Sequence, residues 1–359
     1  MSKIQELKNI SHENVRSFLH KVITTASFEK VSDIHFIPQS EKKIKLKFRL
    51  DSVMCDITVI TSKIYEQLIS HIKVLANLDI TIHYSPQDGC FTLKHSGRDI
   101  SCRINICPTI NGPRAVIRII NEIKELPIEN LGFDIEQARI VKKHLKKKQG
   151  LILIVGPTGC GKTVTMYNLL AHLRKNNLNI LTVCDPVEIY LDGISQTSVE
   201  NQINLNYPTV LKAFLRQDPD IIMIGEIRDR STLKIAMQAA TTGHFVLSSI
   251  HTENTKTSLA RLSSLGGDKN EIKDNISLII AQRLIRKICN ICYRKMNCCH
   301  CSDGYKGVVA IYEILELEKL DSSRNWQQQF SPKPKLRDIA DRLIAKKITD
   351  IEEIKRVFG

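Results

Sequence analysis

The spacing of apolar residues changes character about one third of the way along the chain. Before that point, a helical spacing over residues 11–30 is followed by alternating apolar and polar residues over 43–60, which is typical of half-buried strands. A second helical pattern covers 62–79, and the alternation then returns. These patterns predict a small α+β domain over residues 1–123. The stretch 124–133 contains a proline, a glycine and no strong period, and it is interpreted as a linker.

Beyond the linker, over residues 134–359, the pattern alternates between strands and helices. The strand-length apolar runs LILIV, NILTVCD, DIIMIGE and FVLSSIH are separated by helical patterns. Such alternation predicts an α/β domain with a mostly parallel sheet that is covered on both faces. Ligands of such sheets collect at the carboxyl ends of the strands. The last 28 residues, 332–359, are predicted to be helical.

The run LILIV leads into GPTGCGKT, which matches the P-loop pattern G-x-x-x-x-G-K-[ST] at every fixed position. Its glycines let successive backbone NH groups turn inward around a β-phosphate. Lys162 is placed to reach the β- and γ-phosphates, and the Thr163 hydroxyl is available to Mg²⁺. A chance glycine-rich turn is the alternative, but a strand before the loop and a helical pattern after it favour a nucleoside triphosphate site. The predicted nucleotide-binding residues are Gly156, Pro157, Thr158, Gly159, Cys160, Gly161, Lys162 and Thr163.

Two glutamates stand just after apolar strands on what is predicted to be the same edge of the sheet. Glu226 follows the strand IIMI, and Glu188 follows NILTVC together with Asp185. A lone glutamate in such a place is usually a solvated loop residue. Two strand ends beside a P-loop instead favour a Mg²⁺ site, with Glu226 serving the metal, and a group that orients the attacking water.

Two histidines, His244 and His251, bracket the apolar run FVLSSI. Either they contact phosphate or they are hydrogen-bonded residues at strand ends, and the residue types alone do not decide between these interpretations.

Charge and composition narrow the class of protein. The net charge of +14 would suit a polyanionic partner, but the lysine block 142–148 lies opposite apolar residues in a helical pattern. A solvated face or a contact with acidic lipid headgroups is therefore favoured over specific nucleic-acid binding, and aromatic residues make up only 5% of the chain. No secretory signal and no run of 18 uncharged apolar residues is present, so we expect no membrane span. Eleven cysteines then indicate a reducing compartment.

Five of the cysteines cluster between residues 289 and 301. Two CxxC pairs separated by five residues bring four thiolates toward one point, and this predicts a structural tetrahedral Zn²⁺ site. Free or redox-active thiols are the alternative, and Cys299 or His300 is able to replace one of the ligands. The predicted zinc ligands are Cys289, Cys292, Cys298 and Cys301.

The segments GPTGCGKT, DPVE, RQDPDIIMIGEIRD and TGHFVLSSIHT resemble, in order and spacing, the Walker A, Asp, Walker B and His boxes of the secretion ATPase superfamily. The resemblance covers essentially the whole chain and implies a RecA-like ATPase domain after a PAS-like first domain. It implies that Lys162 and Thr163 hold phosphate and Mg²⁺, that Glu226 serves the metal and that Glu188 activates water. The His-box pair corresponds to His244 and His251.

The resemblance also gives a role to arginines in the first domain. The segment GRDISCRINICPTINGPRAVIRII is similar to the one whose arginines reach the nucleotide in this superfamily. An arginine brought in by domain closure offers a planar cation to the γ-phosphate. Arginines that simply face water along an alternating strand are the alternative. The arginines concerned are Arg98, Arg103, Arg114 and Arg118.

A tetracysteine element followed by GYKGVVAIYEIL resembles the GspE/PilB branch, which serves type II secretion, type IV pilus assembly and competence pseudopili. The resemblance implies an ATP-hydrolysing motor that uses ATP, Mg²⁺ and Zn²⁺. It implies a homohexameric ring in the cytoplasm, docked on an inner-membrane platform protein with peripheral membrane association. A retraction motor, a nucleotide-gated scaffold with little hydrolysis and a DNA-translocating ATPase are the alternatives.

Two positions depart from the family pattern. Cys184 stands where relatives commonly carry an acidic residue, and Cys160 stands in the P-loop where serine is usual. The backbone NH of Cys160 still serves the loop, although a thiol there is open to oxidation. These departures bear on the turnover rate, and the first of them is what makes the scaffold alternative worth testing.

Overall fold

The computed structural model of the chain describes residues 7, 14–40, 42–120, 125–199, 205–294, 303–317 and 334–359. The residue contacts divide the chain into two units. The first consists of Met1–Glu122 with Ile288–Gly307, and the second of Ile123–Lys287 with Val308–Gly359. Residues 288–307 interrupt the second unit in the sequence but group with the first.

The first unit contains an antiparallel six-stranded sheet with the strand order β3-β2-β1-β6-β5-β4. Its strands alternate as the sequence predicts: in β2, Ile44, Leu46 and Phe48 are buried while the lysines between them are at least partly exposed. Helix residues such as Phe18 and Leu68 join the same apolar core. The elements are α1 (Val15–Phe28), β1 (Asp33–Pro38), β2 (Lys43–Leu50), β3 (Val53–Thr61), α2 (Ser62–Leu75), β4 (Gln87–His95), β5 (Arg98–Cys107) and β6 (Arg114–Ile120).

The second unit contains a seven-stranded sheet with the order β13-β12-β7-β11-β10-β8-β9. The described pairings from β12 through β9 are all parallel, as the alternation of strands and helices predicts. The strands are β7 (Gly150–Val155), β8 (Ile180–Cys184), β9 (Ser195–Ser198), β10 (Ile221–Ile224), β11 (Phe245–Ile250), β12 (Ile276–Ile288) and β13 (Tyr305–Glu316).

Apolar layers cover both faces of this sheet. Alternate residues of β7 belong to different cores, with Leu151 and Leu153 in one and Ile152 and Ile154 in the other. The helices that supply these layers are α3 (Ile135–Leu145), α4 (Lys162–Arg174), α5 (Tyr207–Phe214), α6 (Arg230–Thr241), α7 (Thr255–Ser264), α8 (Lys269–Asn275), α9 (Leu336–Ala345) and α10 (Ile351–Phe358), together with a 3₁₀ turn at Ile128–Leu131.

The segment 124–133, which we interpreted from the sequence as a linker, belongs to the second unit. It contains the 3₁₀ turn and leads directly into α3, at whose start Asp134 and Gln137 cap each other's backbone amides. Ile128 and Leu131 are buried in the apolar layer that also contains residues of α4. The segment is therefore packed against the helix that follows the P-loop, which becomes important below.

None of the helices in the described part of the chain is long and apolar enough to cross a membrane.

Candidate functional site

The P-loop joins the carboxyl end of β7 to the first residue of α4. Gly159 and Gly161 have φ values of 76° and 87°, in the left-handed region that favours glycine. A Cβ on Gly161 would lie 2.9 Å from Gln282 Nε2, and one on Gly156 would lie 2.4 Å from Cys160 Sγ. Both glycines are therefore required by close packing as well as by conformation. Because the N-cap of α4 is Gly161, no side chain caps the amides of its first turn.

The side chain of Lys162 is folded back over the loop that precedes it. Its Nζ donates to the carbonyl oxygens of Gly156 at 2.8 Å and Pro157 at 3.1 Å, and it lies 3.2 Å from His251 Nδ1. The residue is only 8% exposed. Burial lowers the pKa of the Lys162 ammonium below its usual value. A negatively charged phosphate at this position would favour the protonated form and give the ammonium a stronger partner than a carbonyl.

A continuous chain of polar contacts leads from Lys162 to the Asp box. His251 Nε2 lies 3.3 Å from Glu226 Oε1, and the other Glu226 oxygen accepts from Arg228 Nε at 3.0 Å. Arg228 in turn donates from NH1 to Asp185 Oδ2 at 3.0 Å. The pattern assigns the Nε2–H tautomer to His251, which accepts from Lys162 on one nitrogen and donates to Glu226 on the other. This geometry brings together three of the predicted site residues: Lys162, His251 and Glu226.

Glu188 lies three residues beyond Asp185 and is exposed. Its neighbourhood contains the buried pair of Tyr167 and Cys184, whose hydroxyl and sulfur are 3.8 Å apart. Burial raises the pKa of the Cys184 thiol to about 11, so this residue is a neutral thiol at physiological pH. Position 184, where the family resemblance led us to expect a carboxylate, therefore carries no charge. A role for Glu188 in orienting water remains a prediction.

The two predicted histidines lie at opposite ends of β11. His251 follows the carboxyl end of the strand, whereas the carbonyl of His244 accepts from Gly150 N at the beginning of β7. Since β7 and β11 are parallel, His244 is separated from the P-loop by the length of the strand, about 20 Å for six residues. Its Nδ1 contacts Thr242 and Ala239 instead. Within one chain, the structure therefore does not bring His244 to the phosphate site.

Three of the four predicted arginines of the first unit, Arg103, Arg114 and Arg118, lie on the sheet face opposite the apolar core. Arg103 and Arg118 are direct neighbours across β5 and β6, and Arg114 is exposed at the start of β6. Arg118 Nε donates to Asp33 Oδ1 at 2.9 Å. Arg98 begins β5, where it pairs with His95. The contacts within the first unit thus place three of the four side chains on one polar face, and their reach toward nucleotide remains a prediction.

Two residues of the site were not anticipated from the sequence. Arg228 bridges the two acidic boxes, and its position two residues after Glu226 was an available signal. Gln282 lies on β12, 122 residues from Cys160 in the sequence, and its Nε2 donates to the carbonyl of Cys160 at 2.8 Å. A glutamine directly after the apolar run LIIA, in a strand-length segment, was the signal for the second.

The predicted zinc knuckle falls largely outside the described residues, which exclude Cys298, Cys299, His300 and Cys301. Of the remaining ligands, Cys289 is buried and Cys292 is partly buried. Within the described ranges there is no group of three or more metal-ligating side chains. Zinc binding therefore stays a prediction.

The residues of the P-loop fit a nucleotide with Mg²⁺. A Cβ on Gly156 or Gly161 would collide with neighbouring atoms, and the amides of the first turn of α4 have no side-chain cap. Lys162 would supply the cation, while Thr163 and Glu226 would supply oxygen ligands of the kind that Mg²⁺ prefers.

Comparison with known proteins gives matches over nearly the full chain. The model of the type II/IV secretion system protein family matches residues 8–356. The protein transport protein HofB homolog of Haemophilus influenzae is 39% identical over 350 residues, which are 97% of this chain and 74% of that relative. The type II secretion system protein E of Pseudomonas aeruginosa is 33% identical over 374 residues, covering 94% of this chain and 74% of the relative.

The type IV pilus assembly ATPase PilB of Acinetobacter baylyi is 38% identical over 330 residues, which are 84% of this chain but only 57% of PilB. Among solved structures, the ATPase DotB of Legionella pneumophila superposes with a TM-score of 0.75 at 19% identity and covers 98% of both chains. The pilus retraction motor PilT with bound ADP gives a TM-score of 0.66 at 22% identity, covering 94% of this chain and 96% of PilT. These two structural likenesses establish the fold.

Proposed function

Because the chain belongs to the type II/IV secretion system protein family, we propose that it is the ATP-hydrolysing motor of a type IV pilus or type II secretion system. The family and the enzyme class predicted from the four boxes are confirmed by the family match and by relatives named as pilus assembly ATPase and type II secretion protein E. The α/β fold is confirmed by the likeness to DotB and PilT.

The observation that carries the proposal is the contact chain from Lys162 through His251 to Glu226. It joins the residue proposed to hold phosphate to the carboxylate proposed to serve the metal, and it lies at the carboxyl ends of β7, β10 and β11. A purely structural role for Glu226 or His251 would not require a contact with the P-loop lysine. The arrangement therefore favours phosphoryl transfer over simple scaffolding.

We derive the following order of events from these contacts. An incoming γ-phosphate competes with the Gly156 and Pro157 carbonyls for the Lys162 ammonium. The phosphate displaces them because its hydrogen bond to the ammonium is charge-assisted on both sides and is stronger. Lys162 then moves away from His251 Nδ1. The contact of His251 with Lys162 is therefore lost when phosphate binds, while His251 still contacts Glu226. Mg²⁺ held by Thr163 and Glu226 would neutralise charge on the β- and γ-phosphates.

Glu188 is proposed to orient the attacking water, since it follows Asp185, the last residue of the contact chain, by three residues. Transfer of the phosphoryl group to water, followed by release of phosphate and ADP, removes the phosphate partners of Lys162, which then returns to His251. Arginines 103, 114 and 118 are proposed to approach the γ-phosphate when the first unit closes, so that hydrolysis is coupled to movement.

The finer features proposed with this function are a homohexameric ring, docking on an inner-membrane platform protein and a place at the cytoplasmic face of the membrane. They are supported by the secretion and pilus assembly relatives. A structural zinc at Cys289, Cys292, Cys298 and Cys301 and a PAS-like relationship of the first unit belong to the same proposal. The antiparallel sheet of the first unit, with helix residues in its core, supports the latter.

The experiment is a phosphate-release assay on the purified chain, with its mass measured in solution with and without nucleotide. We expect Mg²⁺-dependent hydrolysis that falls by roughly 100-fold or more in Lys162→Ala and in Glu226→Gln, because each removes an electrostatic contact to the transferred group. Lys256→Ala, at an exposed position of α7, is the control and should keep the wild-type rate. Equal background rates in all four proteins would refute a motor and favour a nucleotide-gated scaffold.

A further inference from the structure

A buried polar chain runs from the P-loop to the segment through which the polypeptide enters the second unit. It begins at the carbonyl of Cys160, which accepts from Gln282 Nε2 at 2.8 Å. Gln282 Oε1 accepts from Thr165 Oγ1 at 2.9 Å, and Thr165 Oγ1 lies 3.3 Å from the hydroxyl of Tyr312. The Tyr312 hydroxyl donates to the carbonyl of Leu131 at 2.9 Å. Gln282, Thr165 and Tyr312 are each 1% exposed.

The orientation of the Gln282 amide is fixed by its two partners. A flipped amide would set its oxygen against the carbonyl of Cys160, so the nitrogen must face the P-loop. The oxygen then accepts the Thr165 proton. The Gln282 side chain on β12 therefore bridges the Cys160 carbonyl of the P-loop and the Thr165 hydroxyl of α4.

The two hydroxyls carry one proton each, but the geometry offers three hydrogen bonds. With Thr165 donating to Gln282 and Tyr312 donating to Leu131, no proton is left for the contact between the hydroxyls. The Leu131 carbonyl and the Thr165 oxygen thus compete for the proton of Tyr312. Burial raises the pKa of Tyr312 to about 12, so that proton remains in place at neutral pH. A displacement of Leu131 would transfer the bond to Thr165.

Tyr312 is bound firmly to the entry segment, residues 125–133, and to the helix that follows it. Its ring stacks on Phe133 with the centroids 3.8 Å apart, and its carbonyl accepts from Gln137 Nε2 at 2.6 Å. The same segment is fixed to α4 further upstream, where Leu126 N donates to Asn168 Oδ1 at 2.6 Å. Movement of the entry segment is therefore resisted by contacts that end on α4 and on Tyr312.

We propose that Gln282, Thr165 and Tyr312 form a relay in which Gln282 positions the P-loop and Tyr312 senses the entry segment, so that nucleotide binding and displacement of residues 125–133 are coupled. The three residues are positioning residues, since the contacts lead to the backbone of the loop and not to the reacting atoms. The proposal rests on nucleotide binding at the P-loop. It names the contacts through which the effect of that binding is transmitted to residues 125–133, where the chain enters the second unit.

The test is hydrogen exchange of the full chain with and without Mg²⁺ and ADP. In the wild type we expect ADP to slow exchange of amides both in the P-loop, 156–163, and in the entry segment, the latter by about tenfold, the value of one hydrogen bond of roughly 1.4 kcal/mol. Tyr312→Phe keeps the ring that stacks on Phe133 and removes only the hydroxyl. In this variant, the slowing in the entry segment should fall to less than about twofold while that in the P-loop remains.

Thr165→Val is the second variant, because it breaks the chain one link nearer to the P-loop, and it should give the same loss. Tyr65→Phe is the matched control: its buried hydroxyl donates to the carbonyl of Pro113 at 2.8 Å in the first unit. ADP should still protect the entry segment in that variant. Equal protection of the entry segment in all four proteins, or none in the wild type while the P-loop is protected, would overturn the relay. Absence of P-loop protection in the wild type would instead refute nucleotide binding itself.

Discussion

A buried carboxylate, that of Glu353, attaches helix α10 to the sheet. The structure allows an estimate of the free energy of unfolding that is lost when this carboxylate is replaced. Glu353 is fully buried, and Oε2 accepts from Arg286 Nε at 2.7 Å while Oε1 accepts from the backbone N of Arg286 at 2.9 Å. Arg356 donates to both oxygens at 2.7 Å and 2.6 Å. Arg286 lies on β12, four residues beyond Gln282 and on the same face of the strand.

Replacement of Glu353 by Gln removes the buried negative charge to which Arg286 and Arg356 both donate. Breaking a buried pair in this way costs about 3–5 kcal/mol. Burial by itself raises the pKa of Glu353, but the hydrogen bonds from Arg356 and Arg286 outweigh burial and hold the pKa below its usual 4.5. The stabilisation is therefore present above about pH 4.5 and is lost as the pH falls below it.

Because a chain with two units need not unfold in one step, the free energy is best measured locally by native-state hydrogen exchange of α10 and β12. A loss of 3–5 kcal/mol corresponds to faster exchange by roughly 150- to 4,000-fold. Arg356→Gln is the control: this side chain is one third exposed, and its loss should cost about 1 kcal/mol or less. Exchange in Glu353→Gln that is no faster than in the control would show that the buried pair does not hold the helix.

Four further outcomes are expected. His251→Ala should lower the rate of phosphate release by about 10-fold or more and leave thermal stability nearly unchanged, since its contact with Glu226 is partly exposed and worth roughly 1 kcal/mol or less. Gly161→Ala should abolish ADP binding in a fluorescence titration, because the position has a positive φ and no room for a Cβ. His144 has its pKa lowered chiefly by burial, so folding disfavours its protonated form and stability should fall as the pH drops below about 6.5; His144→Gln should weaken that fall in melting curves taken from pH 7 to pH 5. Elemental analysis should find one Zn²⁺ per chain bound by the cluster 289–301, and a metal-free protein with full activity would contradict that site.

Local patterns predicted the elements that carry the nucleotide site. The strand LILIV and the helical pattern after the P-loop appear as β7 and α4, and strands appear where IIMI and FVLSSI predicted them. These predictions succeed because a buried parallel strand is a short apolar run, bounded here by glycine or charged residues. The sequence of the P-loop also predicted which residues must lack a side chain.

The sequence could not decide between the two histidines, because the decision depends on strand direction and register. His244 and His251 flank the same apolar run, and only the parallel pairing of β11 with β7 shows that His251 alone shares the P-loop edge. The contact of Gln282 with the P-loop was not predicted for a related reason. Its partner lies 122 residues away, and no local period reports such a contact.

The grouping of residues 288–307 with the first unit is likewise a long-range property. The backbone N of Gly307 donates to Asp51 Oδ2 at 2.8 Å, across 256 residues of sequence. The entry segment 125–133 shows the opposite case. Its proline, glycine and weak period predicted a linker, yet buried Ile128 and Leu131 pack it into the second unit.

The central claim is that hydrolysis at the P-loop is coupled to movement of the first unit by its arginines. The most direct measurement is a structure of the assembled protein with Mg²⁺ and a non-hydrolysable ATP analogue. We predict that in at least one subunit a guanidinium of Arg103, Arg114 or Arg118 lies within about 3 Å of a γ-phosphate oxygen. All three side chains turned away from the phosphates in every subunit, with the analogue bound, would contradict the account.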